Sequence, residues 1–245
     1  MIKRQIVVVL NMLVCTGALV LTGPLVAQEQ ATLTEKAQSV RPGINDNFLS
    51  DELNVQEWLG RFEVESREVY SARDEVIKAI DIKPGMRVAD IGAGTGFYTR
   101  MFAECVGQTG WVYAVDIVPK FLQHIQTQAA DDKITNITTV LCPQDGVALP
   151  PDSVDAAYIC DTYHHFEFPA ATLATLFRAI RPGGTLVIVD FERIPGVSRE
   201  WLLTHVRAGK DEVREEVVQA GFAFEGEVKI EGFEENYFLR FRKRK

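Results

Sequence analysis

Apolar residues change their rhythm along this chain, and each rhythm predicts a different element. From Val55 to Ile80, the residues Trp58, Phe62, Val69, Val76 and Ile80 recur at roughly helical spacing with charged residues between them. That pattern predicts one or two amphipathic helices packed on a domain. Shorter apolar runs follow. Strands near 87–91, 111–115, 137–141, 154–160 and 185–190 alternate with helices near 97–106, 119–130 and 170–180, an order that implies a parallel sheet wound on both faces. The end of the chain differs again. Phe222 to Gly232 and Asn236 to Arg242 form two strand-like runs joined by a short acidic turn, with Tyr237, Leu239 and Phe241 alternating, which predicts a terminal antiparallel hairpin. Residues 28 to about 52 contain Arg41-Pro-Gly and Asn45-Asp-Asn without periodicity. They predict a loose linker, with order beginning near Val55.

The first 27 residues follow a separate logic. Lys3 and Arg4 precede an apolar run from Ile6 to Leu21, then Gly23-Pro24 as a helix breaker and Ala27 as a small cleavage residue. A signal peptide fits this order, and the chain is then expected outside the cytoplasm. Leu25 is bulky for a cleavage site, and Ile6 to Ala27 is long enough to span a bilayer, so an uncleaved membrane tether fits as well. A misassigned start would leave the chain cytoplasmic. Cys15 lacks the small preceding residue that lipid attachment needs. The other cysteines, Cys105, Cys142 and Cys160, fall at helix or strand ends and read as small buried hydrophobes. With 245 residues, 47% apolar content and no repeats, the chain can bury one sizeable core. The formal charge of −8 disfavours a nucleic-acid partner, and the basic run from Arg240 to Lys245 reads as a solvated end.

The stretch Val88-Ala-Asp90-Ile-Gly92-Ala-Gly94-Thr-Gly96-Phe carries the main chemical signal. A buried strand runs into a glycine turn and then a helix, an arrangement that lets backbone approach a ligand without a Cβ in the way. The G-x-G-x-G spacing is one position shorter than the dinucleotide fingerprint. Asp90, close before the first glycine, opposes a pyrophosphate and suits a cationic ligand. About twenty residues further on, the second strand ends in Asp116, placed to accept hydrogen bonds from two ribose hydroxyls.

With these motifs the chain resembles the class I S-adenosylmethionine-dependent methyltransferase family over about residues 76 to 245. The segment Cys142-Pro-Gln144-Asp145-Gly-Val-Ala-Leu-Pro resembles that family's loop after the third strand, Val154 to Cys160 its fourth strand, and Arg181-Pro-Gly-Gly to Asp190 its turn and fifth strand. The resemblance implies an α/β fold with a Rossmann-like, seven-stranded, mostly parallel sheet. A C-terminal antiparallel hairpin and helices on both faces complete it. It implies S-adenosyl-L-methionine as cofactor, held by Asp90, Gly92, Gly94, Gly96, Asp116, Ile117, Gln144, Asp145, Cys160 and Asp161. Residues 28–75 then form a linker and lid helices, from which Phe62, Glu63, Tyr70 and Arg73 are candidates to reach the site.

Ligands of open α/β sheets sit outside the carboxyl ends of the strands, so Cys160-Asp161-Thr-Tyr163-His164-His165 faces the reacting centre. Tyr163, His164, His165 and His205 are the candidate catalytic residues, since histidine serves as a base near neutral pH with little tuning. His205 lies in a helical segment after the fifth strand that can close over the acceptor. With His164, Asp190 and Glu192 it makes a conceivable metal set, but no tight spacing such as H-x-x-x-H is present, and no metal is assigned. His124 shares a polar helical stripe with Lys120 and Gln128 and reads as solvated. Arg207 reads as a surface or helix-end residue, with pairing to an anionic acceptor as the other reading. The expected function is methyl transfer to a small-molecule acceptor. A non-catalytic extracytoplasmic binding protein on the same fold is the alternative, and a nicotinamide oxidoreductase a third, opposed by the glycine spacing.

Overall fold

The computed structural model of the protein describes residues 38–245. The expected signal peptide or membrane anchor at residues 1–27, including Cys15, lies outside the described residues. So does the start of the linker. Seven strands form one sheet: β1 (Arg87–Ile91), β2 (Trp111–Asp116), β3 (Ile137–Leu141), β4 (Val154–Cys160), β5 (Ile180–Phe191), β6 (Ala223–Glu227) and β7 (Asn236–Arg242). Their order is β3-β2-β1-β4-β5-β7-β6. All pairs from β3 to β5 are parallel, while β7 runs antiparallel to both β5 and β6. The hairpin is therefore inserted with its second strand inward, next to β5.

Alternation explains how the sheet is covered. Ala89 and Ile91 of β1 point to one face, where they join Leu173 and Leu176 of the helix Pro169–Ala179, and Val213 and Val217 of the helix Lys210–Gln219. Val88 of the same strand points to the other face, among Val76, Ile80, Phe102 and Val106. A period of two thus sorts one strand between two cores. Among the described residues no helix is long and apolar enough to cross a membrane.

In chain order the helices are α1 (Asp46–Leu49), α2 (Val55–Phe62), α3 (Glu68–Ser71), α4 (Arg73–Ile80), α5 (Phe97–Val106), α6 (Pro119–Asp131), α7 (Pro169–Ala179), α8 (Glu200–His205) and α9 (Lys210–Gln219). The helical stretch from Val55 to Ile80 is thus broken into separate pieces. Residues 38–52, expected as a loose linker, are instead tied down. The Val40 N–H donates to the Glu167 carbonyl at 2.9 Å, Ser39 Oγ donates to Glu167 Oε2 at 2.6 Å, and the Gly43 N–H donates to Glu167 Oε1 at 3.2 Å. Asn45 is buried.

Candidate functional site

β1 lies between β2 and β4, so the connections leaving β1 and β4 diverge and open a crevice at their carboxyl ends. A cavity of about 650 Å³ occupies this crevice, within the size range of small-molecule and cofactor sites.

On one side the cavity is walled by backbone. Gly94 has φ +53°, and a Cβ there would meet the Phe62 ring, which also lines the cavity, at 3.4 Å. Gly92 backs onto Thr162, whose side chain would overlap an added Cβ at 2.2 Å, so β1 and β4 approach closely at this point. Gly96 does different work. Its missing Cβ makes room for Ile125 of α6, 2.6 Å away, and Gly96 does not line the cavity. The expectation that Gly96 contacts the cofactor is corrected on this point: it is a helix-packing glycine.

Asp116 closes the same side. Its Oδ2 accepts from the Gly94 N–H at 2.8 Å and its Oδ1 from the Val118 N–H at 2.8 Å. Each carboxylate oxygen has further acceptor capacity, and the residue lines the cavity beside Ile117. Burial pushes its pKa up to about 6, against the lowering effect of the backbone amides. Asp90 is also buried, accepts from Thr99 Oγ1 at 2.6 Å and is raised by burial to about 7. Gln144 lines the cavity and accepts from Asn45 Nδ2 at 2.9 Å. Asp145 is exposed and does not line it. The turn after β3 directs the Asp145 side chain to solvent and leaves its neighbour facing inward.

At the end of β4, Cys160 and Asp161 line the cavity. Asp161 has φ +44°, a conformation disfavoured for a residue with a Cβ. Its N–H donates to the Val189 carbonyl at 2.9 Å, and its Oδ1 accepts from Asn236 Nδ2 at 2.7 Å. Oδ2 pairs with Arg67. Burial raises its pKa to about 6 despite Arg67. With both oxygens engaged, Asp161 presents Arg67 to the cavity. Arg67 lies just before α3 and was not a candidate on sequence, because an arginine among many charged residues of a broken helical stretch carries no distinguishing pattern. Phe62 and Tyr70 line the cavity, whereas Glu63 and Arg73 do not. Glu63 instead accepts from Thr95 Oγ1 at 2.8 Å and pairs with Arg100 at 3.1 Å. Arg73 pairs with Glu65 at 3.3 Å.

The opposite side is built from histidines. His164 is buried, and its Nδ1 lies 2.7 Å from Asp190 Oδ1 while its backbone N–H donates to Asp190 Oδ2 at 3.1 Å. Burial opposes ionisation of Asp190, but His164 and the surrounding donors hold its pKa below the usual value. His165 Nδ1 lies 3.2 Å from Asn45 Oδ1, and its Nε2 lies 3.4 Å from His205 Nε2. Burial, then His164 and His205, push His165 down to about 3. Burial also lowers His205.

Tyr163 does not join them. It is fully buried, its hydroxyl donates to Glu216 Oε2 at 2.6 Å, and Arg207 lies over its ring. Tyr163 to His165 form one short 3₁₀ turn, in which successive side chains are rotated by about 120°, so Tyr163 enters the core as the histidines enter the cavity. Its catalytic candidacy is corrected accordingly. Arg207 bridges Glu216 at 2.8 and 2.7 Å and is not a free surface charge. His124 is half-buried. Glu192 is engaged with Lys210 at 2.6 Å and does not meet the histidines.

Residues 89–188 match the family described as methyltransferase domain. A ubiquinone/menaquinone biosynthesis C-methyltransferase of Burkholderia cenocepacia is 29% identical over 118 residues, 48% of each chain. The chain thus spans about half the length of the curated relatives it matches. Among solved structures, a SAM-dependent methyltransferase from Aquifex aeolicus aligns with TM-score 0.68 at 22% identity, covering 78% of this chain and all of that one. A phosphoethanolamine N-methyltransferase 2 of Haemonchus contortus, solved with S-adenosyl-L-methionine, aligns with TM-score 0.60 at 16% identity, over 80% of this chain and 61% of that one. These likenesses concern the fold.

Proposed function

We propose that this chain, which carries a methyltransferase domain of the class I S-adenosylmethionine-dependent family, transfers a methyl group from S-adenosyl-L-methionine to a small-molecule acceptor. The observation that carries the reading is Asp116: each carboxylate oxygen is anchored by one backbone N–H beside an open glycine turn, and each retains capacity for one hydroxyl of a vicinal diol. The donor set fits the cofactor elsewhere as well. Ile117 and Gln144 flank the position for an adenine, and Arg67, steadied by Asp161, suits the carboxylate of a methionine end. The cofactor supplies a sulfonium-activated methyl carbon.

Alignment of acceptor and methyl group is the main task of the protein, since pre-orientation contributes about 7–11 kcal/mol to such a displacement. His164, His165 and His205 form the acceptor side, with the Trp201 and Phe48 rings beside them. His164, engaged by Asp190 through Nδ1, keeps Nε2 as the ring nitrogen for an acceptor that arrives with a proton to lose. We also propose export or membrane tethering, on the strength of Lys3-Arg4 ahead of the apolar run from Ile6. A reporter active only outside the cytoplasm, fused after residue 35, tests that half.

The functional reading is tested by calorimetric titration of the full chain with S-adenosylmethionine, S-adenosylhomocysteine and NAD. Saturable binding of the first two and none of NAD is expected. Binding of NAD alone, or of none of them, overturns the reading.

A further inference from the structure

The histidine cluster has the geometry of a metal site. His164, His165 and His205 each offer a ring nitrogen, and these three nitrogens lie within 4.8 Å of one another. Two of them, His165 Nε2 and His205 Nε2, face each other at 3.4 Å. That separation is long for an N–H···N hydrogen bond. It equals the edge of a tetrahedron whose metal–nitrogen bonds are about 2.0–2.1 Å, an edge of about 3.3–3.4 Å.

The supporting groups have the arrangement that metal-bound histidines need. His164 engages Asp190 through Nδ1 at 2.7 Å, so Nε2 remains as its free nitrogen. His165 engages Asn45 Oδ1 through Nδ1, which likewise leaves Nε2. A carboxylate or carbonyl oxygen on the far nitrogen fixes tautomer and ring orientation and raises ligand basicity. Aromatic packing sets the ring planes further. The His205 ring stacks on Trp201 with centroids 5.1 Å apart, and Phe48 meets His165 edge-on at 5.2 Å. All three histidines line the cavity that also holds Gly94 and Asp116.

We infer that His164, His165 and His205 bind one divalent metal of the zinc class, with Asp190 and Asn45 as positioning residues and the fourth coordination position open to the cavity. Three imidazoles with an open position are the ligand set of a catalytic rather than a structural zinc site. An imidazole set selects zinc over magnesium or calcium, which favour oxygen ligands. The open position faces the acceptor side of the proposed methyltransferase and would take an acceptor's oxygen or sulfur anion. Only this last assignment rests on the proposed function. The metal site itself stands on the histidine geometry.

The test is a titration of the full-length protein, stripped with a chelator, using cobalt(II) as a spectroscopic stand-in for zinc. One equivalent is expected to bind with the visible absorption of a four-coordinate cobalt–nitrogen centre and to be displaced by zinc. His205→Ala is expected to abolish that absorption. Asp190→Asn, which keeps the shape of the side chain but not its charge, is expected to weaken metal affinity by about 10–100-fold. Absence of saturable binding by the wild-type protein overturns the proposal, as does His205→Ala binding cobalt with unchanged affinity and spectrum. Calorimetry with S-adenosylmethionine on the same metal-free protein separates the two readings: cofactor binding without metal binding sinks the metal site alone, and the reverse sinks the methyltransferase reading alone.

Discussion

The two walls of the cavity are made from different materials. On the cofactor side, Gly92, Gly94 and Asp116 come from two adjacent strands within about 25 residues, and the surface offered is mostly backbone. On the acceptor side, Asn45, His164, His165, Asp190 and His205 come from four separate segments and meet mainly through side chains. A backbone cradle tolerates no added Cβ but needs no long-range assembly. A side-chain cluster depends on the chemistry of each group and on every segment being docked. Substitutions on the two walls should therefore fail in different ways.

The largest effect is expected at Gly94. A valine there must adopt φ near +53° and press its branches into the space between the turn and the Phe62 ring. Gly94→Val should weaken S-adenosylmethionine binding by at least about 100-fold, roughly 2.7 kcal/mol, while the melting temperature without ligand changes modestly. Gly96→Val sharpens the contrast. Its Cβ strikes Ile125, so it should lower thermal stability first and cofactor affinity only as a consequence. Calorimetry and melting on both variants check the pair. Equal loss of affinity and stability in the two would erase the distinction between cradle and packing glycine.

Asp116→Ala comes next. It removes the acceptor for two ribose hydroxyls and also strands the Gly94 and Val118 amides, so a loss of about 2–4 kcal/mol in cofactor binding is expected, about thirty-fold or more. Unchanged affinity in a folded variant would remove Asp116 from the cofactor site.

The difference between the walls also explains how much could be read from sequence. The glycine turn, the strand-end Asp116 and the five parallel strands are local patterns, and short apolar runs between turns fix them. The residues of the other wall carry no such pattern. Asn45 sits in a run of turn formers that reads as linker, yet it is buried against Gln144 and His165. Arg67 gains its role only from Asp161, 94 residues away. Tyr163 shows the reverse error, since it is adjacent to a site residue but rotated into the core. Asp145 fails for the same reason on an exposed turn. Helix α9 was not legible because only Val213 and Val217 of its ten residues are buried, too few to stand out among charges. The cap from the Gly209 N–H to Glu212, at 2.9 Å, was its one local signal.

Asn45 joins the walls, and its removal should affect them unequally. Asn45→Ala loses contacts to His165 Nδ1, the His165 carbonyl and Gln144, worth about 1–2 kcal/mol together. Methyl transfer measured as kcat/KM should fall about tenfold and cofactor affinity about threefold or less. A larger loss in cofactor affinity than in transfer would show that Asn45 belongs to the cofactor wall.

The smallest effect is a pH dependence, and its sign distinguishes the cofactor wall from the fold that carries it. Asp116 must be ionised to accept two hydroxyl protons, and burial raises its pKa from 3.8 to about 6. Lowering the pH from 7 to 5.5 should therefore weaken S-adenosylmethionine binding by about fourfold as the carboxylate takes up a proton. Stability without cofactor runs the other way for this group. The folded pKa lies above the unfolded one, so the folded state holds the proton more tightly between about pH 4 and 6. Its contribution is then largest below pH 4, declines as the pH rises through that window, and is flat above it. Asp90, raised by burial to about 7, contributes with the same sign and extends the decline upward. Asp116→Asn should remove the Asp116 part of both trends at once. Calorimetry at stepped pH, paired with ligand-free melts of both proteins, would expose a different titrating group if the affinity trend survived the substitution.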